Sequence, residues 1–227
     1  MMQLTEVNFL GHMAHPNIMR LLGYCRDEPE QLLVYEYASN KDIEEPLSWG
    51  TRLLIMIGIA RGLTYLHSKK IIHRGVKSSH IFLDKDFNAK LGGFGLVKYC
   101  RERSLNTRVM GTIGYAAPEY LSTGHLSTKC DIYSFGVVLL ESMSGRRALD
   151  RNLAYGKQNL VDWASKVKLN RRNVKEIMDP GIQHNYPLQG ASECFALALR
   201  CVAKESKDRP SSEEVLQSLE QIYALSK

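Results

Sequence analysis

The chain has 227 residues, a formal net charge of +6 and a sequence pI near 9.0, with 44% of its residues hydrophobic. That length is enough to bury one substantial core, so a single domain is expected. No run reaches the ~18 consecutive apolar residues of a membrane span, which excludes a helix inserted in a bilayer.

The five cysteines, Cys25, Cys100, Cys130, Cys194 and Cys201, are widely spaced and include no C-x-x-C pair. This argues against a metal site or a disulfide framework and for reduced thiols in a cytoplasmic protein. The start, Met1-Met2-Gln3-Leu4, has no basic segment before an apolar run and no glycine at residue 2. Neither a signal peptide nor N-myristoylation is expected of the sequence as written. The densest basic stretch runs from Lys166 through Lys168, Arg171 and Arg172 to Lys175. It reads as a solvated face, with no nucleic-acid module beside it.

Along the chain, Leu4, Val7, Leu10 and Met13 form one stripe of an amphipathic helix over residues 4–13. The apolar runs Ile18–Cys25 and Gln31–Tyr37 flank Arg26-Asp27-Glu28-Pro29-Glu30 and predict a hairpin. Ser48 is the predicted N-cap of a long helix from Trp49, carrying Leu53, Ile57, Ala60, Leu63 and Leu66 at helical spacing. Short strands alternate with turns from Ile71 to Lys98, and beyond Tyr115 the pattern is mostly helical. Asp131–Ser144 is apolar on nearly every side, the mark of a buried helix. Ser211 and Glu214 form a capping box that opens a last helix bearing Val215, Leu219 and Ile222.

Four ordered segments carry a recognisable pattern: His73-Arg74-Gly75-Val76-Lys77-Ser78-Ser79-His80, Lys90-Leu91-Gly92-Gly93-Phe94-Gly95, Gly111 through Ala117-Pro118-Glu119, and Asp131-Ile132-Tyr133-Ser134-Phe135-Gly136. They resemble the catalytic loop, the D-F-G, the A-P-E and the buried central helix of protein kinases. The wording of Glu6–Gly11, Leu21–Cys25, Leu33–Tyr37 and Asp131–Glu141 is similar to plant receptor-like cytoplasmic kinases of the immune-signalling branch. The resemblance implies an α+β, protein-kinase-like fold over residues 1–227. Residues 1–40 are expected to be a truncated small lobe (helix C and two strands), and 41–227 a mainly helical large lobe. In the family the glycine-rich loop and the strand lysine precede the helix glutamate. Only five residues precede Glu6 here, so the sequence as written is expected to lack both. Without that lysine, Glu6 is expected to face solvent.

Against this pattern the chemistry is depleted. Gly75 stands where the family has the aspartate that takes the substrate proton, a loss of about 10²–10⁴ in rate. Gly93 stands for the D-F-G aspartate and His80 for the catalytic-loop asparagine, the two magnesium ligands. Magnesium prefers oxygen ligands, and imidazole suits other metals. No bound metal is expected, and ATP with magnesium only if activity persists. Lys77 with Thr112 is the serine/threonine-type pairing that the resemblance implies. His73, Arg74, Phe94, Glu119, Asp131 and Arg209 are the retained structural anchors. Ser104, Thr107 and Thr112 are activation-segment hydroxyls, and Arg74 is placed to receive a phosphate on Ser104 or Thr107. The segments between Tyr37 and Pro46 and between Gly95 and Ala117 are shorter than the family pattern.

The expected function is therefore that of a pseudokinase, a binding or scaffold partner in plant receptor-kinase and immune signalling. Its expected partners are receptor kinases, active cytoplasmic kinases or immune receptors, which would recruit it to the plasma membrane. Two alternatives stand beside it: a serine/threonine kinase with ATP binding and residual phosphotransferase activity, and a non-functional truncated product.

Overall fold

In the computed structural model the described residues are 2–27, 31–38, 47–100, 105–154, 156–167, 173–182 and 185–225. The chain opens with helix α1 (Met2–Leu10), then β1 (Leu21–Arg26) and β2 (Gln31–Tyr35), paired antiparallel. The first helix thus ends earlier than residue 13. Gly11 donates to the Val7 carbonyl, after which His12 and Met13 continue only as tight turns onto Phe9 and Leu10. Of the described side chains of the expected stripe, Leu10 is buried and Met13 is partly buried against the same core.

Helix α2 (Trp49–Ser68) begins where the sequence predicts. The Ser48 hydroxyl accepts from the Thr51 amide at 3.2 Å, satisfying one orphan donor of the first turn. Its five predicted apolar positions are all buried. Short pairs follow: β3 (Ile71–Ile72) with β6 (Lys98–Tyr99), β4 (Ile81–Leu83) with β5 (Ala89–Leu91), and β7 (Leu105–Asn106) with β8 (His125–Leu126). A parallel bridge between Ile18 and Leu91 joins the small N-terminal part to β5, through amides bonded at 2.9 Å in both directions.

The large part is helical. Helix α3 (Pro118–Thr123) precedes β8, and α4 (Thr128–Ser144), α5 (Leu160–Ser165), α6 (Val174–Ile177), α7 (Leu188–Cys201) and α8 (Ser212–Ala224) follow it. Helix α4 starts three residues before Asp131 because the Ser127 hydroxyl caps it, accepting from Lys129 N. Ile132, Phe135, Val137, Val138, Leu139 and Leu140 are all buried, so α4 is enclosed as its composition predicts. The capping box forms as read: Ser211 Oγ accepts from Glu214 N and Glu214 Oε2 from Ser211 N. Below it Val215, Leu219 and Ile222 are buried where α8 packs on α2. This is the expected α+β arrangement. Among the described residues no helix is long and apolar enough to cross a membrane.

Candidate functional site

The segment following β3 is held by one carboxylate. Asp131, 1% exposed on α4, accepts from the main-chain amides of His73 and Arg74, each at 2.8 Å, and lies 3.0 Å from His67 Nε2. These bonds hold Arg74 in a left-handed backbone conformation (φ +62), costly for a non-glycine residue without such support. His73 is fully buried. Its Nδ1 accepts from Gly75 N and its Nε2 donates to Gly92 O, which fits the neutral Nε2–H tautomer. Burial above all lowers its pKa to about 4, although Asp131 pulls the other way. Its ring meets Phe94 edge-on, centroids 4.8 Å apart, and α1 packs on the Phe94–Leu96 turn.

The three depleted positions meet in space. Gly75 presents no side chain, and a Cβ there would lie 3.3 Å from Gly93 O. The His80 imidazole turns back to donate from Nδ1 to Gly75 O at 2.7 Å. Burial, and secondarily the Lys77 ammonium, lower its pKa, against the opposing bond to Gly75. Gly93 is left-handed (φ +78), and a Cβ on it would lie 2.2 Å from His80 Nδ1. The imidazole thus fills the space a side chain at 93 would need.

His80 and Gly93, but not Gly75, border a cleft of about 520 Å³ also lined by Glu6, Met19, Tyr35, Glu36, Tyr37 and Phe82. Here one expectation is corrected: Glu6 does not face solvent. Its Oε1 accepts from Phe94 N at 3.2 Å, and it bonds the Tyr35 hydroxyl. Burial, that bond and the carboxylate's charge push the Tyr35 phenol pKa up. Glu36 is also engaged, 3.0 Å from Lys90 Nζ and accepting from Arg20 N. Among the described residues no cluster of three His, Cys, Asp or Glu side chains is placed to hold a metal ion. A larger recess of about 680 Å³, bordered by His15, Asn17, Arg61 and Tyr65, contains none of the expected site residues.

The anchors of the large part are assembled. Arg209, 2% exposed, makes a bidentate pair with Glu119, both distances 2.7 Å, and its guanidinium lies over the Tyr133 ring. Burial opposes the Glu119 charge, but the Arg209 bonds bring its pKa below the usual carboxylate range.

The activation-segment hydroxyls are arranged differently from expectation. Arg74 is already committed: Nη1 donates to Leu96 O, and Nη2 to Arg108 O and the Tyr120 hydroxyl. Thr107 Oγ1 instead lies 3.5 Å from Lys98 Nζ, so the cation beside it is Lys98. Thr112 is exposed, and no hydrogen bond joins it to Lys77 among the described residues. Ser104 lies outside the described residues, as do residues 39–46 of the segment expected to be short and Lys168, Arg171 and Arg172 of the basic stretch.

One network was not foreseen. Tyr115 donates to Glu141 at 2.9 Å and bonds Ser78 Oγ at 3.0 Å, while Glu141 accepts from Ala148 N. Glu141, a carboxylate at the end of the apolar run of α4, was its only sequence signal.

Comparison with known proteins agrees with this geometry. The family model for the protein kinase domain matches residues 1–219. The chain is 46% identical over 235 residues to the probable serine/threonine-protein kinase PBL11 of Arabidopsis thaliana, covering 97% of this chain and 60% of that protein. It is 47% identical over 234 residues to receptor-like cytoplasmic kinase 176 of Oryza sativa subsp. japonica, covering 96% and 59%. Probable serine/threonine-protein kinase PBL9 of Arabidopsis thaliana is 46% identical over 237 residues, covering 98% and 58%. The chain spans about three-fifths of the length of these curated relatives.

Proposed function

The chain belongs to the protein kinase domain family, and from that premise we propose that it acts by binding other proteins rather than by transferring phosphate. The observation that carries this reading is the contact between His80 and Gly93. A kinase-like site needs a carboxylate at 93 to hold magnesium against the phosphates, and the imidazole of His80 stands in the volume that carboxylate would enter. Gly75 supplies no proton acceptor; of the two imidazoles bonded to it, His73 is committed on both ring nitrogens and His80 donates its Nδ1 proton to Gly75 O. The remaining carboxylates of the cleft, Glu6 and Glu36, are engaged with Phe94 N and Lys90. This donor set does not fit magnesium, so no catalytic step is assigned through it.

The framework that positions a kinase-like surface is retained in Asp131, Glu119 and Arg209. That combination favours a folded partner of receptor kinases, active cytoplasmic kinases or immune receptors in plant signalling. Its place is then the cytoplasm, with recruitment to the plasma membrane through those partners. Residual serine/threonine kinase activity is the competing reading, favoured by the open cleft beside Glu6.

Thermal unfolding with and without magnesium–ATP separates the two. The expected Tm change is under about 1 °C, because a ligand stabilises only above its dissociation constant. Magnesium-dependent stabilisation, or label transfer from radioactive ATP that disappears in Lys77→Ala, would overturn the proposal.

A further inference from the structure

The charge of the chain is concentrated in one place. Residues 146–175 hold nine lysines and arginines against two acidic residues, Asp150 and Asp162, a surplus of seven. The rest of the chain is nearly balanced, with 21 basic against 22 acidic residues. Segregation of this kind sets the local potential more than the modest net charge does.

Much of that segment is one compact unit. Leu149 bridges Asn159, Asp150 N donates to Gln158 O and Leu160 N to Ala148 O, closing residues 148–160 as a loop that leads into α5. The Arg146 guanidinium lies 4.1 Å over the Trp163 ring and donates to Lys157 O, which ties the loop to the helix. Lys166 Nζ comes back to the loop at Gly156, 3.9 Å from where a Cβ would stand. Arg151, Lys157 and Lys166 therefore project from one body, and Arg147 adjoins it. These four side chains and Lys175 are exposed, and none forms an ion pair among the described residues.

Among its described residues the surface also lacks what a specific protein interface carries at its centre. Protein partners are held chiefly by buried aromatic or aliphatic anchors, and no large apolar side chain among the described residues of 146–175 is exposed. Unpaired cations without an apolar anchor match a smeared negative potential. We propose that this unit docks peripherally on an anionic lipid bilayer, with Arg151, Lys157 and Lys166 meeting the headgroups. Each basic residue near such a surface contributes about fivefold in partition, and salt screens the effect. The inference rests on charge placement alone and stands whether or not the cleft accepts a nucleotide.

Cosedimentation of the full chain with phosphatidylcholine vesicles, with and without about 30% phosphatidylserine, tests it. Pelleting is expected only with the anionic vesicles and is lost as salt rises from roughly 50 to 300 mM. The triple variant Arg151→Gln, Lys157→Gln, Lys166→Gln should bind about 100-fold more weakly, with an unchanged thermal melt. Lys85→Gln, Lys204→Gln, Lys207→Gln removes the same charge from exposed positions elsewhere and should weaken binding by less than about threefold. Failure to pellet with anionic vesicles, or equal loss in both triple variants, overturns the proposal. So does binding to polyglutamate in the absence of vesicle binding, which would assign the surface to an acidic protein.

Discussion

The imidazole of His80 and the bare Cα of Gly93 are complementary: the ring Nδ1 lies 2.2 Å from where a Cβ at 93 would stand. Each substitution thereby accommodates the other. Restoring Gly93→Asp alone should destabilise the fold by roughly 2 kcal/mol through overpacking. In the double variant with His80→Asn the cost should shrink, leaving a coupling of about 1–2 kcal/mol. Urea denaturation of the four proteins measures it; strictly additive costs would show that the two positions are independent.

The buried His73 makes stability depend on pH. Its pKa in the fold is about 4 against an ordinary value of 6.5. Below the ordinary value the unfolded chain takes up a proton that the folded chain refuses. The stability present above pH 6.5 is therefore lost progressively as pH falls toward 4, by roughly 3 kcal/mol. His15 and His80, whose pKa values are lowered mainly by burial, act in the same direction. Denaturation midpoints measured across this window should fall with pH, and the fall should be shallower in His73→Phe. An identical slope in that variant would remove His73 from the account.

The Glu119–Arg209 pair should be the most sensitive anchor. Arg209 is sealed from solvent and accompanied by carbonyl acceptors at Ala203, Lys129 and Lys204. Arg209→Ala leaves a carboxylate without its partner and should cost roughly 3–5 kcal/mol, read from the denaturant midpoint. A loss below about 1 kcal/mol would mean that the pair behaves like a surface ion pair.

Glu6 ties α1 to the Phe94 turn. Glu6→Ala removes the acceptor of Phe94 N and the partner of Tyr35, and should cost about 1–2 kcal/mol. Amide hydrogen exchange should accelerate in α1 and at Phe94, with α4 unaffected. Unchanged protection in α1 would contradict this role.

The fold was legible wherever local chemistry decides it. Ser48 and Ser211 announce helix starts through caps that reach only three residues, and the apolar run after Asp131 announces burial. The site was legible as a set of missing groups at 75, 80 and 93. What the sequence could not convey was non-local. Glu6 turns inward because of Phe94, 88 residues away, and helical periodicity carries no trace of that amide. Likewise, Arg74 reads as a phosphate receiver until the carbonyls of Leu96 and Arg108 are seen beside it.

That occupancy has its own consequence. An arginine left unmatched at this point would give the loop two states, slack before modification and taut after it. Here the main chain and the Tyr120 phenol have taken most of that seat, and among the described residues Nε has no partner. A phosphoryl group arriving on Thr107 would meet Lys98 first and would have to compete with these bonds for the guanidinium. The described part of the segment is therefore braced by contacts that need no added phosphate.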